Sequence, residues 1–504
     1  MKIENQRQIG VVLTYLSEAV KILTGLIYTP VMLRILGQNE YGLYQMVFSV
    51  VSYLSLLGMG FSGSYLKFFS RYDTQNNKNG IAKLNGMFLT IFLLISMLCI
   101  ISGSIMVINI GTLLGSKLTI DEIGKAKILM VMLIFSMAIT FPNSVFECNL
   151  IAHEQFVFQK IVSLLQALFN PFLSLPLLLM GYGSVGIVFI SSLLTLVVLI
   201  TNIFYSVRYL KMSFTFRGFE FSLLKEMWTF TFFIFLGQII DQINWNVDKY
   251  LLGRIIGTTA VAVYGVGAQI NTMYLQFSTA ISNVFVPTVN RIVSADDDNK
   301  KLTELLTRVG RIQFFVIMLV LMGFFFVGRT FISLWVGNEY YESYLVTLFL
   351  IVPVTVPLIQ NLGIEIQKAK NKHKSRALVY FVISIANIII SIPLIQSFGA
   401  TGAAAGTAIA LFIGNVLFIN WYYHFKLGLD MRYFWTNIFK IVPSMIIPCL
   451  CGVLYTKCFQ VKTFFGVLLF SIVFSLIYFV SIWFCGFNKY EKSMITDVWE
   501  RVRK

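Results

Sequence analysis

Long apolar runs alternate with short polar connections along the whole of this chain. About 20 mostly apolar residues are enough for a helix to cross a bilayer, and the backbone groups of a segment in hydrocarbon must be hydrogen-bonded within that segment. The pattern therefore predicts an all-α integral membrane protein with fourteen transmembrane helices. The predicted spans are 9–33, 41–64, 84–110, 127–150, 158–180, 184–207, 227–249, 258–287, 310–335, 343–366, 377–397, 402–424, 437–456 and 463–486.

The composition leaves little material for any other domain. Apolar residues make up 57% of the chain and charged residues 12%, whereas soluble proteins contain about 25% charged residues. Fourteen spans use nearly all of the apolar residues, so no large soluble domain is expected. The net charge of +16 does not indicate a nucleic-acid partner, because the basic residues lie in short loops, where they contact anionic membrane lipids.

The basic residues are divided unequally between the two sets of connections. The N-terminus, the C-terminal tail and the alternate connections carry 29 Lys and Arg, whereas the other connections carry 9. Cytoplasmic loops are enriched in these residues, so both termini are predicted to be cytoplasmic. An even number of spans agrees with this orientation.

The chain also contains an internal repeat. The sequence RILG at 34–37 is followed by Tyr44, and RIIG at 254–257 is followed by Tyr264, at an offset of 220 residues. Further matches in the same order are Arg71 with Arg291; Asn170, Ser174 and Pro176 with Asn387, Ser391 and Pro393; and Gly183 and Gly186 with Gly399 and Gly402. Each copy holds six spans, so both copies enter the membrane in the same sense and are parallel repeats. In transporters built from such repeats the substrate site lies between the two copies. The expected organisation is an N-lobe of spans 1–6 at 1–208, a C-lobe of spans 7–12 at 209–425, and spans 13–14 with a cytoplasmic tail at 426–504.

Ionisable residues inside the spans are candidates for function, because burying charge in a membrane is costly. Glu18 and Lys21 lie three residues apart in span 1, and Asp241 and Asp248 lie seven apart in span 7, so each pair shares a helix face. The amides around the two aspartates are Gln238, Gln242, Asn244 and Asn246. The repeat relates Lys21 to Asp241, so we expect both to line one cavity and to pair in at least one conformation. The alternative is a structural Glu18–Lys21 pair, with Asp241 satisfied by neighbouring amides.

Five basic residues lie at the ends of spans. Arg34 and Arg254 are near the predicted outer face, where they either cap helix ends and extend to the interface or contact anionic groups of a substrate. Lys67, Arg71 and Arg291 lie at the predicted cytoplasmic ends of spans 2 and 8. They either mark topology or form a cationic rim that receives a pyrophosphate, since Lys and Arg suit phosphate oxygens.

Glu147 and Glu365 occupy corresponding spans 4 and 10, near the predicted cytoplasmic side, and are candidates for ion coupling or for paired structural carboxylates. The three histidines are scattered, and no catalytic or metal-binding constellation is evident. Neither a catalytic site, nor a metal, nor a cofactor is predicted, and the chain is not expected to be an enzyme.

Several segments resemble a known family. They are LRILGQNEYGLYQ at 33–45, LLGMGFS at 56–62, KFFSR at 67–71, DKYLLG at 248–253 with Gly257 and Tyr264, and FGATGAAAGT at 398–407. Together they resemble the polysaccharide-biosynthesis (oligosaccharide repeat-unit) flippases of the multidrug/oligosaccharidyl-lipid/polysaccharide (MOP) exporter superfamily. The likeness extends over essentially the whole chain.

The resemblance implies a MATE-like fold with two lobes and alternating access in a bacterial cytoplasmic membrane. The implied cargo is an undecaprenyl-pyrophosphate-linked oligosaccharide, moved to the outer leaflet for O-antigen, capsule or exopolysaccharide assembly. H⁺ or Na⁺, a polysaccharide polymerase and a chain-length regulator are the implied partners. Family members carry cationic residues in the cavity, and Lys21 is the best placed match.

Three alternatives stay open at this point. Within the superfamily, the cargo could be lipid II, or the protein could be a cation-coupled multidrug antiporter, although such antiporters usually have twelve spans. A membrane polysaccharide polymerase or transferase is the alternative from another class. It would need a large loop for its catalytic groups, and the longest connections here have roughly twenty residues.

Overall fold

The computed structural model describes residues 3–58, 60–115, 117–218, 221–295, 297–370, 372, 374–459, 462–493 and 496. Helices form nearly all of this part of the chain. In the first half they are α1 (Ile3–Ser52), α2 (Phe61–Thr74), α3 (Lys78–Ile108), α4 (Ile110–Leu114), α5 (Ile120–Ala152), α6 (Phe156–Leu179), α7 (Gly183–Arg208) and α8 (Phe221–Ile255). The second half contains α9 (Thr258–Ala295), α10 (Asn299–Trp335), α11 (Ser343–Ile359), α12 (Leu362–Ala369), α13 (Lys374–Leu411), α14 (Ile419–Phe425), α15 (Met431–Phe439), α16 (Ile446–Cys458) and α17 (Phe464–Cys485).

These helices cover the predicted apolar runs, and the all-helical prediction is confirmed for the described residues. In that part of the chain, nine helical stretches are long and apolar enough to cross a membrane, or ten if α11 and α12, which meet at 49°, form one span. Arg376–Phe425, of 50 residues, contains two of the predicted runs, and Leu16–Thr74, of 59 residues, contains one run and most of another. The number of fourteen spans therefore stays a prediction.

Contacts between Cα atoms divide the chain into two compact units. One comprises Met1–Gly265 with Tyr380–Ala403, and the other comprises Val266–Val379 with Ala404–Lys504. The lobes expected at 1–208 and 209–425 follow from the sequence repeat, and this division does not test them.

Glycines bend the two longest helical stretches between predicted runs. Gly37 interrupts α1 with φ 73°, and Gly399 interrupts α13 with φ 57°. Residues with a Cβ rarely adopt positive φ, whereas glycine does so without steric cost. One continuous stretch can therefore contain two differently directed helices at each of these positions.

Each copy of the repeat contains an equivalent close contact between helical segments. A Cβ built on Gly186 would lie 3.0 Å from Leu177 Cβ, and one built on Gly402 would lie 1.9 Å from the carbonyl oxygen of Leu394. Leu177 and Leu394 are related by the same offset of 217 residues that relates Asn170 to Asn387. Small residues permit such close packing of helices in membranes, so both copies use a glycine for the same local purpose.

The segment after Gly37 is tied to two neighbouring helices by Glu40. Its carboxylate accepts hydrogen bonds from Lys125 Nζ at 2.9 Å and from the backbone N–H and Oγ of Ser184 at 2.7 and 2.8 Å. Gly183 lies against the same carboxylate, because a Cβ there would come 2.1 Å from Glu40 Oε1. Glu40 thus joins α1 to the first turns of α5 and α7.

Arg311 fixes the C-terminal part of the chain to α10. Its Nε and Nη2 donate to the Glu491 carboxylate at 2.6 and 2.8 Å, and both side chains are buried. Nη1 also donates to the carbonyl of Asn437 at 2.7 Å, and Nη2 to that of Gly486 at 2.8 Å. One guanidinium therefore holds α15, the end of α17 and the start of the tail.

Candidate functional site

The polar residues of α8 are divided among several environments. Gln242, Asn246 and Lys249 follow one another at intervals of four and three residues, so they share one helix face. Asp241 is exposed, Asn244 is half-buried and Asp248 is only 1% exposed. The two aspartates therefore meet different surroundings, although the sequence places them on one face.

The face of α8 that carries Gln242 contacts α1 and the 3₁₀ turn that follows it. Ser52 Oγ donates to Gln242 Oε1 at 3.1 Å, and Gln242 Nε2 donates to Ser55 Oγ at 3.1 Å. Asn246 Nδ2 donates to the same Gln242 Oε1 at 2.7 Å. The side-chain amide of Gln242 is therefore hydrogen-bonded to one hydroxyl of α1, to one hydroxyl of the 3₁₀ turn, and to Asn246 of its own helix.

Lys249 extends this contact towards the predicted outer face. Its ammonium donates to Gln45 Oε1 at 2.9 Å, and Gln45 Nε2 donates to the Tyr41 hydroxyl at 2.8 Å. Within the described part of the chain, no carboxylate forms an ion pair with Lys249. We call Gln45, Ser52, Ser55, Gln242 and Lys249 the α1–α8 seam.

Sequence reasoning missed Lys249. The residue closes the predicted span 227–249, where a basic residue is expected from membrane topology alone. The signal that could have found it is its position beside Asp248, since a charge at the edge of an apolar run is costly unless it has a partner.

Close packing accompanies the polar contacts of the seam. A Cβ on Gly42 would lie 1.8 Å from the carbonyl oxygen of Thr258, at the start of α9, and a Cβ on Gly253 would lie 2.3 Å from Met46 Sδ. A side chain at position 42 would clash with backbone, whereas one at position 253 would require the flexible Met46 side chain to move. The second part of α1 therefore packs directly against α8 and α9.

Asp248 is held from α9. The Tyr264 hydroxyl donates to Asp248 Oδ2 at 2.8 Å, and both residues are only 1% exposed. Tyr264 belongs to the second copy of the repeat motif, and this contact gives the motif residue a structural role.

Lys21 pairs with its neighbour in α1. Lys21 Nζ lies 2.9 Å from Glu18 Oε1, and the two side chains are 39% and 33% exposed. This is the intrahelical pair that the sequence left open as an alternative, and the approach of Lys21 to Asp241 stays a prediction. Gln238, at the equivalent of Glu18, has a buried Oε1 without a hydrogen-bond partner among the described residues.

The two arginines predicted at the outer face are both exposed. Arg254 Nη1 donates to the Tyr250 hydroxyl at 3.0 Å, which in turn donates to the carbonyl oxygen of Leu113 at 3.1 Å. Tyr250 thus links α8 to the short helix α4, and Arg254 supports it. A role of Arg34 or Arg254 in contacting a substrate stays a prediction.

Glu226 of α8 forms ion pairs with two cations of α2. Lys67 Nζ lies 2.8 Å from Glu226 Oε1, and Arg71 Nη1 lies 3.8 Å from Oε2. The hydrogen bond from Lys67, together with the two positive charges, holds the pKa of Glu226 below its usual range. Sequence reasoning missed Glu226, because it immediately precedes a predicted span. Arg291, the third residue of the predicted rim, is exposed on α9.

The two glutamates proposed for ion coupling have close polar neighbours. Glu147 Oε1 accepts a hydrogen bond from Asn143 Nδ2 at 2.8 Å, and Asn202 Nδ2 donates to Asn143 Oδ1 at 3.0 Å. Glu365 forms an ion pair with Lys368 at 2.7 Å within α12. Among the residues that the structure describes, no three His, Cys, Asp or Glu side chains are arranged to hold a metal. Ion coupling through either glutamate stays a prediction.

With this geometry established, comparison with known proteins identifies the family. The sequence profile of the polysaccharide biosynthesis protein family matches residues 9–293, which include all five residues of the α1–α8 seam. The chain belongs to this family. Membership agrees with the resemblance carried by the motifs at 33–45 and 248–253.

One relative of known name is a flippase. The chain is 25% identical to the probable flippase AglR of Haloferax volcanii over 173 residues, which are 34% of this chain and 36% of that protein. The match thus spans about a third of the curated relative. Solved structures cover more of the chain, and at their low identity they show the fold alone.

The fold is similar to those of a lipid II flippase and a multidrug transporter. A lipid II flippase, MurJ, in an inward closed conformation matches with a TM-score of 0.73 and 16% identity, covering 94% of this chain and 97% of that one. An inward-facing multidrug MATE transporter matches with a TM-score of 0.64 and 14% identity, covering 84% and 97%. These proteins are named as flippases and transporters, not as enzymes.

Proposed function

We propose that this protein is a flippase that moves an undecaprenyl-pyrophosphate-linked oligosaccharide from the cytoplasmic to the outer leaflet by alternating access. The product would feed O-antigen, capsule or exopolysaccharide assembly in a bacterial cytoplasmic membrane. Family membership supports a role in polysaccharide biosynthesis, and the relatives named as flippases support movement of a lipid-linked cargo.

The observation that carries this proposal is the α1–α8 seam. It places an ammonium, two amides and two hydroxyls between helices of a membrane protein. An ammonium within a predicted span is costly in hydrocarbon and by default marks the path of a substrate or ion, whereas amides and hydroxyls also join helices. Lys249 is therefore the residue of the seam that favours transport over a purely structural role.

In this proposal, fourteen spans form two six-helix lobes and a C-terminal pair, with both termini cytoplasmic. The residues proposed to line the cavity are Glu18, Lys21, Gln238, Asp241, Asn244 and Asp248. Arg34 and Arg254 would meet the cargo at the outer side, and Lys67, Arg71 and Arg291 at the cytoplasmic rim. Asp241, Glu147 and Glu365 are proposed for coupling to H⁺ or Na⁺, and a polymerase with its chain-length regulator would receive the cargo.

A lipid II flippase is the second candidate. The likeness to MurJ covers 94% of this chain, whereas the likeness to the MATE transporter covers 84%. Both cargoes carry a polyprenyl diphosphate, so the same cationic residues would serve either. The multidrug antiporter has less support, because its likeness leaves more of the chain unmatched.

Complementation of a bacterial strain that lacks its own oligosaccharide flippase tests the proposal, with surface polysaccharide as the readout. We expect the wild type to restore the polysaccharide, and Lys21→Ala and Asp241→Ala to reduce it at equal membrane abundance. Lys78→Gln, which removes an exposed charge from a predicted cytoplasmic loop, is the matched control.

Two results would contradict parts of this proposal. Full activity of both alanine variants would refute the proposal that Lys21 and Asp241 line the cavity. Failure of the wild type with every glycan tested, together with rescue of a strain depleted of its lipid II flippase, would assign the second cargo instead.

A further inference from the structure

Two cations of α2 share one carboxylate of α8. Lys67 and Arg71 lie four residues apart, so they are on the same face of the helix. Glu226 reaches Lys67 at 2.8 Å and Arg71 at 3.8 Å, one with each carboxylate oxygen. The three side chains are between 46% and 60% exposed. An anion in the surrounding water can therefore reach both cations.

The chemistry of this pair of cations suits a larger anion than a carboxylate. A carboxylate has two oxygens and one negative charge, whereas a diphosphate ester has more oxygens and a higher charge. Arg and Lys bind phosphate oxygens through charge-assisted hydrogen bonds. Exposed ion pairs between side chains are individually weak, so a diphosphate that reached these two cations would compete effectively with Glu226.

We infer that Glu226 occupies the anion site in which Lys67 and Arg71 receive the diphosphate of the cargo. The carboxylate and the diphosphate need the same donors, so they exclude one another. This inference rests on the proposed function, because it takes the cargo to be a polyprenyl diphosphate.

Displacement of Glu226 also has a mechanical consequence. Its ion pairs connect α2 to the beginning of α8. A cargo that takes the two cations therefore breaks this connection as it binds. Bound cargo therefore favours release of the predicted cytoplasmic end of α8, to the small extent that exposed ion pairs stabilise the contact.

Binding of farnesyl diphosphate to the purified full-length protein in nanodiscs tests this inference, with farnesol as the uncharged probe. We expect Glu226→Gln to tighten farnesyl diphosphate binding by about two- to fivefold, the range over which exposed ion pairs act, and to leave farnesol binding unchanged. Lys67→Gln with Arg71→Gln should weaken farnesyl diphosphate binding. In that background, Glu226→Gln should have no further effect.

Glu304→Gln is the matched control, because Glu304 is an exposed glutamate in another predicted cytoplasmic segment. A general effect of net charge would tighten binding equally in Glu304→Gln and Glu226→Gln, and would overturn the inference. Equal tightening for farnesol and farnesyl diphosphate would also overturn it, because it would indicate a looser protein rather than competition.

The inference and the proposed function fail separately. If the double cation variant weakens farnesyl diphosphate binding but Glu226→Gln changes nothing, the anion site stands and the competition is refuted. If neither changes binding while the wild type complements the flippase-deficient strain, the anion site is refuted and the flippase proposal stands.

Discussion

Replacing Arg311 by methionine should release the C-terminal tail. The change leaves Glu491 buried without its ion pair and removes the donors to two backbone carbonyls. Loss of one partner of a buried ion pair costs about 3–5 kcal/mol. Cleavage by trypsin follows the population of the open form when opening is fast. We therefore expect cleavage at Lys489 and Lys492, measured by mass spectrometry in nanodiscs, to accelerate at least tenfold.

The control is Arg308→Gln on the same helix. Arg308 is exposed and lies over the Tyr490 ring at 4.2 Å, and an exposed cation–π contact contributes only about 0.5–1 kcal/mol. A double-mutant cycle with Glu491→Gln then isolates the pair. If Arg311→Met is cleaved no faster than Arg308→Gln, or if the effects of Arg311→Met and Glu491→Gln simply add, the buried pair does not hold the tail.

Three further predictions concern α8 and its neighbours. Gly42→Ala should lower the thermal stability of detergent-solubilised protein, because its Cβ would meet the Thr258 carbonyl at 1.8 Å, whereas Gly124→Ala, with no atom within 4 Å of its Cβ, should not. Lys249→Met should keep or raise that stability, because it removes a charge whose hydrogen-bond partner is neutral, yet reduce complementation; a parallel loss of stability would contradict this. The lowered pKa of Glu226 means that its ion pairs are fully present above about pH 4.3 and are lost as pH falls through the lowered value. Spin-label distances between α2 and α8 should therefore be constant from pH 8 to 5. Lengthening of these distances within that range would refute the prediction.

The sequence predicted the helices of this fold well, because each depends on local apolar content. It also found Asp248, since a carboxylate within an apolar run is conspicuous. The partners of α8 were harder to predict. Lys249 and Glu226 lie at the edges of a predicted span, where charge is expected for topology alone.

The ion pair of Lys21 follows from the geometry of its own helix and not from the repeat. The offset of 220 residues relates Lys21 to Asp241, but Glu18 lies three residues away on the same helix and pairs with Lys21 at 2.9 Å. Contacts such as Lys249 with Gln45 join residues about two hundred positions apart. No pattern within either segment shows which helix faces meet, so these contacts required the structure.

The two ends of α8 are held by contacts of different strength. Glu226 and Lys249 are 23 residues apart, about 35 Å along a helix, which is close to the roughly 30 Å of hydrocarbon in a bilayer. At the Glu226 end, exposed ion pairs are open to water and to competing anions. At the Lys249 end, the hydrogen bond from Lys249 to Gln45 is accompanied by close packing of Gly253 of α8 on Met46 of α1. Separation of α8 from its neighbours should therefore begin at Glu226, the predicted cytoplasmic end, which is where a cargo from the cytoplasmic leaflet would arrive.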